Sequence, residues 1–245
     1  SACKNYNCLV NIFYLYEGPD FYQQLETIKA VNCCGIIVMA TELQRTEYRA
    51  FLNFPVPVVF LDTYMEDIKH DCILINHVQG AYNAVRYLIG KYKVIPEYIH
   101  SSYEINSFME RKEGYMKALR ESGASSSDAV IHEALPTVDG VRSVMHKLLS
   151  DGQKPARCYF ADNDMMAISV VQALQEYGYE IPKDVAVCGF GNDVPDYLAG
   201  FASSLTTVTG PSNQMWGEIG VEQLIRRIKN PNLPITKTEL ATELI

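Results

Sequence analysis

The stretch from residue 157 to residue 191 constrains the fold more than any other, because two short apolar segments flank a segment of helical periodicity. The apolar segments are Cys158–Ala161 and Val185–Phe190. Strand, helix and strand in this order predict a right-handed parallel crossover. Asn163 and Gly191–Asp193, which follow the two strands, should therefore lie at the carboxyl ends of parallel strands, where open α/β sheets bind ligands.

The same alternation continues on both sides of this stretch. Short apolar segments predict strands at Cys8–Tyr16, Gly35–Ala40, Val58–Leu61, Cys72–Ile75, Tyr98–His100 and Val130–Leu135. Helical periodicity predicts helices at Phe21–Val31, Thr46–Leu52, Gly80–Ile89, Glu104–Ser122, Val138–Leu149 and Ser212–Ile228. Alternating strands and helices predict an α/β fold in which parallel sheets are flanked by helices.

Length and charge narrow the classes of function. A chain of 245 residues accommodates one large α/β domain or two lobes of ordinary size. No apolar run approaches the roughly 20 residues that a membrane-spanning helix needs, so a membrane protein is not expected. The net charge of −8 leaves no basic stripe to neutralise phosphates, and these residues alone should not hold DNA.

The seven cysteines indicate a reducing compartment. Most lie within or beside apolar segments, where reduced thiols pack as small apolar side chains, and this usage favours the cytoplasm. The adjacent pair Cys33-Cys34 could form a strained disulfide or bind a metal. Because no second pair has zinc spacing, two thiols entering the strand at Gly35–Ala40 is the favoured interpretation.

Four motifs occur along the chain in the order found in one known family. They are F-x-E-R-x-x-G-Y-x-x-A-L at 108–119, A-x-N-D-x-M-A at 161–167, L-x-x-x-G-x-x-I-P-x-D-V-x-V-x-G-F at 174–190 and S-L-T-T-V at 204–208. Together they resemble the effector domain of LacI/GalR-type transcriptional repressors, which shares its fold with periplasmic sugar-binding proteins.

The resemblance implies two similar lobes of the periplasmic binding protein type I kind, each a parallel sheet flanked by helices. The first lobe is expected at about 1–101 plus 210–236, and the second at about 102–209 plus 237–245. Three crossings between the lobes would form a hinge, and the cleft between them is the expected ligand site. The resemblance also implies that a DNA-binding headpiece and a first strand precede Ser1, and that the protein is a homodimer.

Arg111 is the leading candidate for ligand binding. A guanidinium offers five donors in a fixed fork that suits a carboxylate, a phosphate or neighbouring hydroxyls. An isolated helical arginine is usually a solvated surface charge, but Arg111 occupies the arginine position of the family motif. Ser107, one turn earlier, would share its face or simply begin the helix.

Three further candidates come from strand ends. Asn163 offers both acceptor and donors, as a polyol requires, while Asp164 is expected to cap the following helix. Asp62 closes the strand Val58–Leu61 and is either a ligand contact or a turn residue. Leu135 matches a position where the family often places an apolar or aromatic wall against the ligand, but core packing is the favoured interpretation.

Several departures from the family pattern concern the ligand. Gly191 stands where the family has a sugar-binding aspartate, so Asn192 or Asp193 must supply that contact if it is made. Thr63 replaces a frequent arginine, and Asn76-His77 replaces the more usual Asp-Asn. A common pentose or hexose is therefore less clearly indicated than the fold.

The sequence offers no support for catalysis. Gly189-Phe190-Gly191 resembles half of a dinucleotide fingerprint, but it lacks the third glycine and an immediate helix. Neither a hydrolase motif nor a phosphate loop occurs, and the five histidines lack metal-ligand spacing. No enzyme activity, cofactor or metal is expected.

Two functions remain in competition. The first is the effector-sensing and dimerisation domain of a cytoplasmic LacI-type regulator, which binds a small polar ligand such as a sugar and reaches operator DNA through an N-terminal helix-turn-helix absent from this chain. The alternative is an extracytoplasmic sugar-binding protein that serves a transporter. The apolar surroundings of the cysteines and the S-L-T-T-V segment favour the regulator.

Overall fold

The computed structural model describes residues 2–245 except 17, 19, 66, 68, 151, 195–197, 199 and 201–204. Ser204 of the S-L-T-T-V motif thus lies outside the described residues. The helices are α1 (Ala2–Asn5), α2 (Asp20–Ala30), α3 (Arg45–Arg49), α4 (His77–Tyr92), α5 (Asn106–Glu121), α6 (Val138–Ser150), α7 (Asp164–Glu176) and α8 (Asn213–Lys229), with a 3₁₀ turn at Ser126–Asp128. The strands are β1 (Ile36–Met39), β2 (Val58–Leu61), β3 (Asp71–Ile75), β4 (Glu97–Ser101), β5 (Ile131–Ala134), β6 (Cys158–Ala161), β7 (Ala186–Phe190), β8 (Thr206–Thr209), β9 (Lys237–Leu240) and β10 (Glu243–Leu244).

The strands form two sheets. The first has the order β1-β2-β3-β9, and every pair in it is parallel. The second has the order β10-β8-β7-β6-β4-β5 and is parallel except where β10 pairs with β8. Strands β2, β6 and β7 are buried along their whole length, as strands covered by helices on both faces must be. The predicted α/β class with parallel sheets flanked by helices is confirmed.

The chain divides into two compact units. Unit 1 comprises Ser1–Ile75 and Pro211–Leu240, and unit 2 comprises Asn76–Gly210 and Ala241–Ile245. The first boundary between the units follows Ile75 and not the expected position near Ser101. Helix α4 packs on α5, and β4 pairs with β5 and β6, so both α4 and β4 belong to unit 2. The last division also differs, since β9 pairs with β3 and thereby joins unit 1.

The strand predicted over Cys8–Tyr16 is wrong. These residues adopt neither helix nor strand, and Leu9 and Ile12 are 99% and 75% exposed. An extended segment becomes a strand only where a neighbouring strand supplies backbone hydrogen bonds, and no described strand pairs with this one. The apolar pattern alone could not reveal that.

Each unit has its own apolar core. In unit 2, α4 and α5 cover one face of the sheet with a cluster that includes Tyr98, Tyr115 and Phe160. The rings of Tyr98 and Tyr115 stack 4.8 Å apart. Three buried thiols belong to these cores, and burial raises the pKa of Cys72 to about 11 and that of Cys158 to about 12. Among the described residues, no helix combines the length and apolar character needed to cross a membrane.

An ion pair with a buried carboxylate joins β3 to α8 in unit 1. Asp71 begins β3 and is 2% exposed, while Arg227 lies in the last turn of α8. Arg227 donates from Nε and Nη2 to the two carboxylate oxygens of Asp71, at 2.7 and 2.9 Å. Its Nη groups also donate to the carbonyls of Pro231, Leu233 and Pro234. Burial alone would raise the pKa of Asp71, but Arg227 and the Thr236 N–H outweigh burial and lower it.

We expect Arg227→Ala to lower the free energy of unfolding by about 3–5 kcal/mol, because the buried Asp71 carboxylate loses its counter-charge. Arg142→Ala is the matched control, since Arg142 pairs with Glu176 at an exposed site and the loss there should be about 0–1 kcal/mol. Urea unfolding followed by circular dichroism measures both. Equal losses in the two variants would contradict the role assigned to the buried pair.

Candidate functional site

The carboxyl ends of the parallel strands in unit 2 meet at one edge of the sheet. Leu135 follows β5, Asn163 lies two residues beyond β6, and Asn192 and Asp193 follow β7 by way of Gly191. The order β7-β6-β4-β5 therefore brings these predicted residues to the same edge. We refer to this edge, together with the helix residues that contact it, as the unit 2 edge.

Arg111 is held at the unit 2 edge and is only 8% exposed. Its Nη1 donates to the backbone carbonyl of Asp162, and its Nε and Nη2 lie 3.4 and 3.3 Å from His77 Nδ1. The guanidinium carbon lies 4.1 Å from the centroid of the Phe190 ring, at the end of β7. A solvated surface charge is therefore the wrong interpretation of Arg111. Its contact with a ligand stays a prediction.

Ser107 is 4% exposed and precedes Arg111 by one turn of α5. Residues four apart on a helix share a face, so Ser107 and Arg111 are directed to the same side. Ser107 is the second residue of α5, which fits the helix-entry interpretation, and its contact with a ligand stays a prediction.

The roles predicted for Asn163 and Asp164 are partly exchanged. Asn163 caps α7, because its Oδ1 accepts from Met166 N at 2.9 Å, so a ligand contact would come from its Nδ2 group. Asp164 is 1% exposed and does not cap the helix. It accepts instead from Thr207 Oγ1 at 2.6 Å and from Asp193 N at 3.2 Å.

Asp164 thereby fixes the loop that follows β7. Within this loop, Gly191 has φ +124° and Asn192 has φ +52°. An aspartate at position 191, as in the family pattern, would be strained in this conformation because φ near +124° is essentially restricted to glycine. Asn192 and Asp193 are both exposed, so their side chains can reach a ligand.

Leu135 is 62% exposed, and core packing is therefore the wrong interpretation of this residue. An exposed leucine at a strand end is available as an apolar wall, which remains its predicted role.

Asp62 belongs to unit 1, where it follows β2 with φ +68° and accepts from Thr41 Oγ1 at 2.7 Å. This geometry fits a turn residue, and its alternative role as a ligand contact remains a prediction. Thr63, beside it, is buried and donates to the carbonyl of Ala40 at 2.7 Å.

Sequence reasoning missed a polar cluster centred on Asp162, which has no exposed surface. Its Oδ1 accepts from the hydroxyl of Tyr98, and its Oδ2 accepts from Ser101 N at 2.6 Å and lies 2.7 Å from His100 Nδ1. Burial, followed by the negative charge of Asp162, raises the pKa of Tyr98 well above its ordinary value. The sequence did contain a signal for this cluster, because His100 and Asp162 are titratable residues at the ends of two predicted strands.

The same edge contains His77, the first residue of α4, which is 3% exposed. Its ring lies 5.4 Å from that of Phe190, so the imidazole and the guanidinium of Arg111 both border this aromatic ring. Within the described part of the chain, no group of three or more His, Cys, Asp or Glu residues could hold a metal ion. The arrangement is suited to binding an uncharged or anionic polar molecule through hydrogen bonds.

Residues 98–245 match the family described as periplasmic binding protein-like domain. The ribose operon repressor of Escherichia coli (strain K12) is 30% identical over 233 residues, which span 94% of this chain and 69% of the repressor. The HTH-type transcriptional repressor PurR of Vibrio atlanticus is 29% identical over 240 residues, which span 97% of this chain and 70% of that protein.

Solved structures share the fold. A LacI-type transcription regulator from Bifidobacterium animalis subsp. lactis has a TM-score of 0.82 at 20% identity, covering 100% of this chain and 89% of that chain. A LacI family regulator from Enterococcus faecium with bound ribose has a TM-score of 0.79 at 19% identity, covering 95% of this chain and 84% of that chain.

We predict a pH dependence of stability from the buried Asp164. Burial raises its pKa above the ordinary value of 3.8, despite the opposing hydrogen bonds from Thr207 and the backbone N–H of Asp193. The folded state then binds this proton more tightly than the unfolded state. The contribution of Asp164 to stability is therefore fully present below pH 3.8 and is lost as pH rises through the folded-state pKa. Asp164→Asn cannot ionise and should lose this fall.

Urea unfolding of wild type and Asp164→Asn between about pH 4 and pH 7 tests this expectation. The free energy of unfolding of the variant, relative to wild type, should increase with pH. Asp139→Asn, which removes an equal charge at an exposed position on α6, should follow wild type. A constant difference between Asp164→Asn and wild type would contradict the prediction.

Proposed function

The chain belongs to the LacI family of transcriptional regulators, and from this we propose that it senses a sugar or related small metabolite at the unit 2 edge, with Arg111 as the principal ligand contact. It is a regulator domain and not an enzyme. Repressors among its relatives favour this function over a transporter-linked sugar-binding protein.

The proposal rests on the fixed orientation of the Arg111 guanidinium. Contacts with Phe190 and with the carbonyl of Asp162 orient the side chain before any ligand arrives. A preorganised fork loses little conformational entropy on binding, and charged donors make stronger hydrogen bonds than neutral ones. Oxygen-rich ligands suit it best.

Other residues at the unit 2 edge would set the orientation of the bound ligand. We assign the Nδ2 group of Asn163 and the side chains of Asn192 and Asp193 to ligand hydroxyls, with Leu135 against an apolar face of the ring. Ser107 lies on the Arg111 face of α5 and would support the same contact. Asp62 is retained as a candidate ligand contact from unit 1.

The ligand class follows from this chemistry and from the relatives together. One relative is named for the ribose operon, and one structural neighbour contains ribose. The loop after β7 has a glycine at φ +124° in place of the family aspartate, so its contacts with a ligand must come from Asn192 and Asp193. We therefore propose D-ribose and related pentoses as the first ligands to test.

Regulation of transcription would also require DNA binding and dimerisation. The net charge of −8 makes this domain a poor DNA binder, so operator DNA would be bound by a helix-turn-helix segment outside these 245 residues. A homodimer in the cytoplasm would place two such segments on paired half-sites. The ligand would change DNA affinity only through its difference in affinity for the two states of the protein, and 1.4 kcal/mol corresponds to about a tenfold change.

We expect Arg111→Ala to weaken D-ribose binding by about 100-fold or more, because hydrogen bonds to a charged donor contribute roughly 1.5–3 kcal/mol each. Arg111→Lys keeps the charge but loses the fork and should weaken binding by roughly 10-fold. Arg120→Ala, at an exposed position of the same helix, is the control and should bind as wild type does. Isothermal titration calorimetry with a panel of pentoses and hexoses measures all three.

Arg111 also has structural contacts, so Arg111→Ala should lose stability as well, and thermal unfolding must show that each variant is folded at the titration temperature. Wild-type affinity in folded Arg111→Ala would reject the role of this residue. No binding of any sugar by the wild-type protein would reject the ligand class.

A further inference from the structure

His100 lies at the end of β4 with its ring against that of Tyr98, the two centroids being 5.2 Å apart. Its side chain is 8% exposed, and its Nδ1 lies 2.7 Å from the carboxylate Oδ2 of Asp162. The same carboxylate accepts from the hydroxyl of Tyr98 and from Ser101 N. These contacts fix the orientation of the imidazole ring.

The contact with Asp162 also determines which ring nitrogen of His100 carries hydrogen. An ionised carboxylate can only accept hydrogen bonds, so Nδ1 must be the donor in this pair. At pH values where the imidazole is neutral, one nitrogen donates and the other accepts, so with Nδ1 as the donor Nε2 of His100 is the acceptor. Asp162 acts on His100 as outer carboxylates act on metal-binding histidines, by fixing the tautomer and the ring plane.

Among the described residues, no group forms a hydrogen bond with the Nε2 atom of His100, and the side chain keeps an exposed fraction of 8%. A ring nitrogen without such a bond can accept one from a bound molecule.

Arg111 and His100 converge on the same residue. Arg111 donates to the backbone carbonyl of Asp162, and His100 donates to its side chain. The unit 2 edge therefore contains a guanidinium, which only donates, and an imidazole nitrogen that can accept, both on residues that contact Asp162. Ligand hydroxyl groups suit both, because a hydroxyl oxygen accepts and its hydrogen donates.

We infer that His100 is a further ligand-binding residue, and that it selects hydroxyl-bearing ligands by accepting a hydrogen bond at Nε2. A fully ionised carboxylate or sulfate has no hydrogen to donate, and it would leave Nε2 unpaired against its own negative charge. The inference rests on the proposed function and narrows its ligand class to polyols such as sugars.

The experiment uses D-ribose as the probe and calorimetric affinity as the readout. His100→Phe keeps a ring against Tyr98 but has no nitrogen, and His100→Gln keeps a side-chain acceptor. We expect His100→Phe to weaken binding roughly 3- to 10-fold, as for the loss of one neutral hydrogen bond, and His100→Gln to recover part of that loss. His146→Phe, at a histidine that is 38% exposed on α6, should leave the affinity unchanged.

A second measurement uses the wild-type protein, in case His100→Phe fails to fold. Nitrogen-15 NMR of the histidine rings should show the Nδ1–H tautomer at His100, and its Nε2 resonance should shift when D-ribose saturates the protein. An Nδ1 that carries no hydrogen, or an Nε2 resonance that does not shift at saturation, would overturn the inference.

The outcomes separate the two proposals. Wild-type binding of D-ribose together with equal binding by folded His100→Phe rejects the role of His100 and leaves the sugar-sensing function in place. If neither D-ribose nor any other sugar of the panel binds the wild-type protein, the proposed function fails and the inference fails with it.

Discussion

A carboxylate without contact to water must receive hydrogen bonds from its surroundings, and the end of β6 in unit 2 is arranged to supply them. Asp162 has no exposed surface, and Tyr98, His100 and Ser101 of β4 all bond to its side chain. An unpaired buried charge would cost several kcal/mol, so these bonds tie β4 to β6 at the carboxyl edge. Its backbone carbonyl then holds Arg111. One residue thus organises both the sheet edge and the principal candidate for ligand binding.

A second buried aspartate, two residues further along the chain, has a similar role toward β7 and β8. Asp164 accepts from Thr207 on β8 and from the backbone of Asp193 in the loop after β7. A Cβ atom at Gly189 would overlap the Asp164 carboxylate, so the close approach of α7 to β7 depends on the glycine. The candidate site is therefore supported by two buried aspartates, neither of which needs to touch the ligand.

Unit 1 uses the same physical principle for a different purpose. Asp71 and Arg227 form a forked pair that also binds the carbonyls of the segment between α8 and β9. The desolvation cost of burying this pair is offset only because most of the groups involved are hydrogen-bonded. In unit 1 the buried pair secures the chain where it returns to the sheet, whereas in unit 2 the buried aspartates shape a surface that can bind a ligand.

Much of this architecture could be predicted from local patterns. Apolar segments such as Val58–Leu61 and Cys158–Ala161 match β2 and β6 residue for residue, because a strand buried on both faces must be apolar throughout. The motif that contains Arg111 also identified the helix on which this residue lies. Periodicity could not show that Cys8–Tyr16 pairs with no strand in the described part of the chain, since pairing depends on residues distant in the sequence.

The candidate site divides in the same way between sequence and tertiary structure. By itself, the sequence determined the α/β class, the strand ends where polar residues collect, and Arg111 as a candidate, because these depend on periodicity and on motifs of contiguous residues. Only the tertiary structure decided that Asn163 caps α7 while Asp164 is buried, and that His100 and Asp162 form a pair. Hydrogen-bond partners of buried groups come from separate strands, and only the folded chain brings them within about 3 Å of each other.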